Sequence, residues 1–234
     1  MWFQVKIQSE EKEWWSKAIK SEINNFLKRK AWKFVNKEEV LKKGRRPIPT
    51  KHVFKKKIEL DSNTGKEYVR FKDRIVTLDF MQIPGVDYTE SFSPVATDTA
   101  LRIIFGIVLY KHDEGWVCES YDVEAAFLEP SMKDLEMYIG LPEGLVELGF
   151  MSKEEADKHC ILLQHSMYGN VDAALRWILM KTEYLTSKKI GMIQSRADPC
   201  VFFKKNEQGE AMLVIAMTVD DCAIAGEPLA YDKD

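Results

Sequence analysis

The segment that most restricts the fold is Leu213–Val219. It is an almost wholly apolar run that stops at Asp220-Asp221 and resumes as Cys222-Ala-Ile-Ala-Gly226. Neighbouring residues of a strand point to opposite faces, so two adjacent carboxylates serve one site only at a turn, and a hairpin tip supplies one. Paired acids there repel each other and cost desolvation if buried, and a divalent cation would relieve both penalties. A solvated Asp-Asp turn is the competing reading, and turns are rich in Asp. Taken alone, the motif fits that simpler reading better.

The remaining pattern gives the fold class. Glu11–Lys30 reads as an amphipathic helix with Trp15, Ala18, Ile19, Ile23 and Phe26 on one stripe. A short strand follows near 32–35, then a basic loop with two prolines. A long hairpin comes next, with arms about 52–60 and 67–78 around the turn Asp61-Ser-Asn-Thr-Gly65. Helices are expected over 97–110 and 172–187, and Ser152 with Glu155 forms a capping box for a short one. Strands are expected over 116–121, ending at Asp122, and over 160–164, 200–204 and 211–218. The order lacks a regular βαβ alternation, so an α+β domain with a mainly antiparallel sheet packed on helices is predicted.

Composition narrows the setting. The net charge of −3 hides an asymmetry: residues 1–80 hold 21 Lys+Arg against 11 Asp+Glu, and the rest hold 13 against 26. A basic first third attracts phosphates and an acidic remainder holds cations, although Lys-rich runs are equally common as solvated faces. Cys118, Cys160, Cys200 and Cys222 form no CxxC, which argues against a zinc site or a disulfide framework and for a reducing interior. No apolar run reaches membrane-spanning length, and the first residues lack a signal-peptide pattern.

Two further groups carry chemistry. Tyr121-Asp122-Val123-Glu124-Ala125-Ala126-Phe127 ends a strand in an Asp, which alone would serve as a helix N-cap. Combined with Asp220 and Asp221 it would supply the all-oxygen ligands that Mg²⁺ prefers. On the second hairpin arm, alternation puts Arg70, Lys72 and Arg74 on one face. They form either a grip for a triphosphate or a solvent face paired with Glu59 and Asp61.

In order along the chain, several segments resemble the copia-type (Pseudoviridae) retrotransposon reverse transcriptases, from about Trp15 to Gly226. Trp15-x-x-Ala18-x-x-x-Glu22 and Trp32-x-x-Val35 resemble the opening helix and strand. Pro49-Thr50-Lys51-x-Val53-Phe54-Lys55 resembles the stretch PxxTKWVFK, and Lys72-Asp73-Arg74-Ile75-Val76 resembles KARLVA. Gln82-x-x-Gly85-x-Asp87-Tyr88-x-Glu90-x-Phe92-Ser93-Pro94-Val95 matches the long QxxGxDYxExFSPV signature, the most specific of all. Asp122-Val123-x-x-Ala126-Phe127-Leu128, Leu141-Pro142-Glu143-Gly144, Tyr168-Gly169 with Trp177, Asp198-Pro199-Cys200 and Val219-Asp220-Asp221 match later motifs.

The resemblance implies a right-hand polymerase with fingers over 1–95 and a palm over 96–234, the palm interrupted by a further fingers segment. It implies an RNA-directed DNA polymerase, a nucleotidyltransferase of a retroelement Pol polyprotein. Two Mg²⁺ ions, replaceable by Mn²⁺, would sit on Asp122, Asp220 and Asp221, with the Val123 carbonyl as a further metal ligand. Lys72 and Arg74 would hold the incoming triphosphate, Phe127 would act as the steric gate against a ribose 2′-OH, and Tyr168 and Gly169 would line the nucleotide pocket. Partners would be a primed RNA or DNA template, deoxynucleoside triphosphates and the other Pol domains, integrase and RNase H. The setting would be intracellular: cytoplasm, virus-like particles or nucleus.

The chain departs from the family pattern in three places. Thr218 replaces the Tyr before VDD, Asn170–Leu175 replaces LKQxPR, and Leu128-Glu129-Pro130 ends what is AFLNG in the family. The acidic triad survives all three. The chain ends eight residues after Gly226, where the family continues into the rest of the palm, a thumb and RNase H, so a C-terminally truncated palm is expected. A catalytically inactive relic that binds nucleic acid and an unrelated metal-dependent hydrolase are the alternatives.

Overall fold

The amphipathic stripe of the N-terminal helix is real and organises the first half of the chain. In the computed structural model, which describes residues 2–219 and 221–227, Trp15, Ile19, Ile23 and Phe26 are all buried on that helix. The helices are α1 (Trp2–Ile7), α2 (Lys12–Lys28), α3 (Lys37–Lys42), α4 (Asp98–Tyr110), α5 (Lys153–Lys158) and α6 (Ala173–Thr186). The strands are β1 (Trp32–Asn36), β2 (Thr50–Leu60), β3 (Glu67–Thr77), β4 (Val117–Asp122), β5 (Tyr138–Ile139), β6 (His159–Leu163), β7 (Ile193–Gln194), β8 (Val201–Lys205), β9 (Ala211–Met217) and β10 (Asp221–Gly226). The fold is α+β with antiparallel strand pairing in every sheet.

The chain forms two units, Met1–Thr89 with Phe127–Ala173, and Glu90–Ala126 with Ala174–Asp234. In the first, β2 and β3 make a two-stranded ribbon and β1-β6-β5 a separate three-stranded sheet. One face of the ribbon packs on α2, where the Phe71 ring meets Trp15 edge-on and stacks on Trp14. In the second, the sheet runs β4-β10-β9-β8-β7. Its core includes Ile104 of α4, Ile178 and Leu185 of α6, and Phe202, Ile215 and Ala216 of the sheet. No helix among the described residues is long and apolar enough to cross a membrane.

Capping explains several element ends. The Thr97 side chain accepts from Ala100 N–H to start α4, and Ser152 and Glu155 complete the capping box of α5. Asn36 accepts from the Glu38 and Glu39 N–H groups and starts α3, a helix absent from the sequence reading although Asn-Lys-Glu-Glu is its signal. The short elements α1, β5 and β7 were also unforeseen; at two to six residues they carry too little periodicity to read.

An ionic cluster lies inside the first unit. His52 Nδ1 is 2.8 Å from Asp73 Oδ2, and its Nε2 is 2.9 Å from the Glu143 carbonyl. A backbone carbonyl only accepts, so Nε2 donates to Glu143 while Nδ1 faces the Asp73 carboxyl group. Burial alone would push His52 down, yet the Asp73 hydrogen bond and charge, with Glu143, hold its pKa above the ordinary value. Glu22 of α2 shares this interior. Burial first, then the Asp73 charge, pushes its carboxyl up to about 7, against opposing pulls from the Ile75 backbone, Lys72 and Arg74.

The fold therefore favours neutral Glu22. Wild-type protein should lose stability as pH rises from about 4.5, the unfolded value, through about 7, the folded one. Glu22→Gln keeps the neutral form at every pH. Urea denaturation should show it equal to wild type below pH 4.5 and more stable at pH 8, by up to about 3 kcal/mol. A stability difference that does not change with pH would refute this account.

Candidate active site

The acidic residues meet through strand register. β10 pairs with β4 on one side and β9 on the other, and the β4 register sets Asp221 opposite Asp122. Directly opposed residues of an antiparallel pair project to the same sheet face about 5 Å apart. Both residues are exposed. Asp220 lies outside the described residues, and among those described no group of three metal-ligating side chains forms. Two like charges directly opposed destabilise a sheet. A pair of carboxylates without an intervening basic residue is an all-oxygen donor set suited to a hard divalent cation, so the residues present fit Mg²⁺. Val123 follows Asp122 at the strand end and is half-buried.

The approach to this pair is strained. Val219 has φ +64°, a region that β-branched residues rarely adopt. Two contacts hold it. Trp177 Nε1 of α6 donates to the Val219 carbonyl at 2.5 Å, and Thr218 N–H donates to the Asp221 carbonyl at 2.8 Å. Such outliers persist only where the surroundings over-determine them. Thr218, at the position of the family's Tyr, closes the turn with its hydroxyl as well, 3.1 Å from the same carbonyl. Nearby, the Asp198 carboxylate accepts from Thr97 N–H and Oγ1 and from Cys200 N–H, tying α4 to the start of β8.

The five residues expected to hold a nucleotide gather in the first unit. Lys72 and Arg74 share one face of β3, as alternation predicts, while Phe71, Asp73 and Ile75 take the other. The Arg74 guanidinium lies over the Tyr168 ring at 5.3 Å, and Tyr168 meets Phe127 edge-on at 5.6 Å. Among the described residues neither Lys72 nor Arg74 makes an ion pair, whereas Arg70 pairs with Glu59 at 3.3 Å. Asp61 is spent on its own turn, accepting from Asn63 and Thr64. Burial, followed by the charges of Arg74, Lys57 and Arg70, lowers the Lys72 pKa.

Gln82, a motif residue with no role assigned from sequence, clamps the Tyr168-Gly169 loop. Its side chain donates to the Gly169 carbonyl at 2.6 Å and accepts from Val171 N–H at 3.0 Å. Thr77 N–H donates to the Tyr168 carbonyl, and the Thr77 hydroxyl donates to Asn170 Oδ1. The divergent Asn170-Val171 step is therefore bonded into the ribbon end. Asp87 of the same signature accepts from Ile83 N–H and from Arg45 at 2.9 Å. Gly169 has φ +87°, and a Cβ there would sit 2.3 Å from the Thr77 carbonyl oxygen.

A family profile described as "Reverse transcriptase (RNA-dependent DNA polymerase)" matches residues 29–234. The chain is 32% identical over 212 residues to the retrovirus-related Pol polyprotein from transposon TNT 1-94 of Nicotiana tabacum, covering 90% of this chain and 14% of that protein. It is 30% identical over 228 residues to the corresponding polyprotein from transposon RE1 of Arabidopsis thaliana, covering 94% and 14%. The transposon Ty1-LR2 Gag-Pol polyprotein of Saccharomyces cerevisiae is 28% identical over 226 residues, covering 95% and 11%. The chain is a member of the reverse transcriptase family, of the copia retrotransposon type, and spans about a seventh of the length of its plant relatives.

Gly169→Ala must both adopt an unfavourable φ and move backbone, since the clash is with a carbonyl rather than a flexible side chain. Its expected cost exceeds about 3 kcal/mol. Gln82→Ala should cost about 1–3 kcal/mol by leaving buried groups unpaired. Chemical denaturation of both variants checks this; a Gly169→Ala protein as stable as wild type would contradict the close approach.

Proposed function

We propose that the chain is the fingers and palm of an RNA-directed DNA polymerase, with the first unit as fingers and the second as palm. The observation that carries the reading is the registered pairing of Asp122 with Asp221 at strand ends, in a chain of this family. Asp122, Asp220 and Asp221 would hold two Mg²⁺ ions, with the Val123 carbonyl as a further ligand. When bound, the ions supply activation of the primer 3′-OH and stabilisation of the departing pyrophosphate.

The chain's own side chains do the rest. Lys72 and Arg74, free of ion pairs among the described residues, offset triphosphate charge as it builds. Stacking on Tyr168 keeps the Arg74 guanidinium oriented. Phe127, braced edge-on by Tyr168, excludes a ribose 2′-OH, and Gly169 lets backbone approach the substrate. Template and primer bind chiefly through the basic first third. The protein works inside the cell, alongside the other domains of a Pol polyprotein.

Primer extension on an RNA template with Mg²⁺ tests this. Asp122→Asn, Asp220→Asn and Asp221→Asn should each lower nucleotide addition at least about a hundred-fold, the scale of losing a transition-state charge stabiliser. Near-wild-type addition in any of them would remove that residue from the metal site. Wild-type protein that binds primer–template and adds nothing would favour the inactive, nucleic-acid-binding alternative.

A further inference from the structure

A pocket of about 480 Å³ lies within the first unit and shares no lining residue with the nucleotide grip. Ligand pockets run from roughly 300 to 1,000 Å³, so it has room for a small molecule. Three segments supply most of it. On α3, Lys37 and Leu41 stand one turn apart and so share a face. The loop before β2 brings Arg46 and its two prolines, which fix φ. Ile48, between those prolines, is buried and bonded through both backbone groups. Its N–H donates to the Tyr138 carbonyl and its carbonyl accepts from Gly140 N–H, each at 2.8 Å. Arg46 therefore extends from a pre-organised loop. The junction of α5 and β6 brings His159.

The charge in the pocket is of one sign. Lys37, Arg46 and His159 line it, and among the described residues no acid does. Among those residues Lys37 and Arg46 make no ion pair, whereas nearby Lys43 and Arg45 hold Glu136 at 3.6 Å and Asp87 at 2.9 Å. Burial pushes the Cys160 thiol up and the Lys37 charge pulls against it, so that ammonium lies toward the buried end of the pocket. His159 Nδ1 donates to the Glu155 carbonyl at 2.7 Å, and Nε2 has no hydrogen-bond partner among the described residues. A concave wall of one sign focuses the field and concentrates counter-ions.

We propose that this pocket binds a small organic phosphate, a phosphate monoester on a compact apolar body. A monoester carries about −1.5 to −2 charges at pH 7 and three acceptor oxygens, one for each of Lys37, Arg46 and His159. A carboxylate brings a single charge and two oxygens. His159 Nε2 accepts from a P–OH or, on a charged ring, donates. Leu41, Pro47 and Leu141 form an apolar wall for the body, which free phosphate would leave unused. No Phe, Tyr or Trp lines the pocket among the described residues, so a nucleobase finds no such ring to stack on. The inference does not depend on the polymerase reading.

Calorimetric titration of the full chain with phenyl phosphate tests it. Inorganic phosphate and benzoate should each bind more weakly. Arg46→Ala and Lys37→Ala, both at exposed positions, should each weaken phenyl phosphate at least about ten-fold, the scale of one hydrogen bond to a charged group. Leu41→Ala should weaken it several-fold and leave inorganic phosphate unchanged. Lys72→Ala/Arg74→Ala should bind phenyl phosphate as wild type does. Absence of saturable binding by wild type overturns the proposal. So does a loss confined to the Lys72/Arg74 variant, which would return the ligand to the nucleotide grip. Displacement of phenyl phosphate by single-stranded RNA also overturns it, since the pocket would then be part of a nucleic-acid surface.

Discussion

The structure turns on the position of β10, paired on both edges within an antiparallel sheet. Its pairing with β9 is local, made by an abrupt reversal of the chain. Its pairing with β4 joins residues a hundred positions apart and sets Asp221 beside Asp122. The apolar residues of β9 and β10 share one buried core with residues of α4 and α6, so the acids at the end of the strands are presented from a packed support. The backbone strain at Val219 and the Trp177 hydrogen bond that restrains it lie at the same end. Rigidity and strain thus occur together at the proposed chemical centre, as is common where geometry must be held against electrostatic repulsion.

A parallel division of labour appears in the first unit. β3 is two-faced: Phe71, Asp73 and Ile75 belong to the interior and Lys72 and Arg74 to the outer face. Much of the family signature has no direct part in chemistry. Gln82 and Asp87 serve the backbone of neighbouring loops, and Asp198 serves the start of α4. These residues are scaffold, buried polar groups whose partners are fully specified, and replacing one leaves another unsatisfied.

Strong periodicity made some elements plain before any coordinates. The α2 stripe, the long β2–β3 ribbon with its Asp61–Gly65 turn, the Thr97 cap and the Ser152–Glu155 capping box are local patterns, and each forms within a residue or two of where its pattern ends. Of the residues singled out for chemistry, Lys72, Arg74, Phe127, Tyr168 and Gly169 gather in one unit, and Asp122 and Asp221 in the other. The His52–Asp73 pair could not be seen. Its members are 21 residues apart and diagonal rather than opposite in the ribbon, and each reads alone as an ordinary polar residue. The cationic face of the β2–β3 ribbon was half legible: alternation revealed Arg70, Lys72 and Arg74, while Lys51, Lys55 and Lys57 joined them only once the register was known.

By itself, then, the order of residues determined which segments are helix or strand, which faces are apolar, where the charge divides, and to which family the motifs belong. These follow from periodicity and local hydrogen bonding, which act over a few residues. Tertiary structure alone decided which acid stands opposite which, whether a cation is paired or left for a ligand, and which motif residues are scaffold. Those outcomes depend on register and burial, and a one-residue slip of a strand would exchange every partner while leaving the local pattern nearly intact.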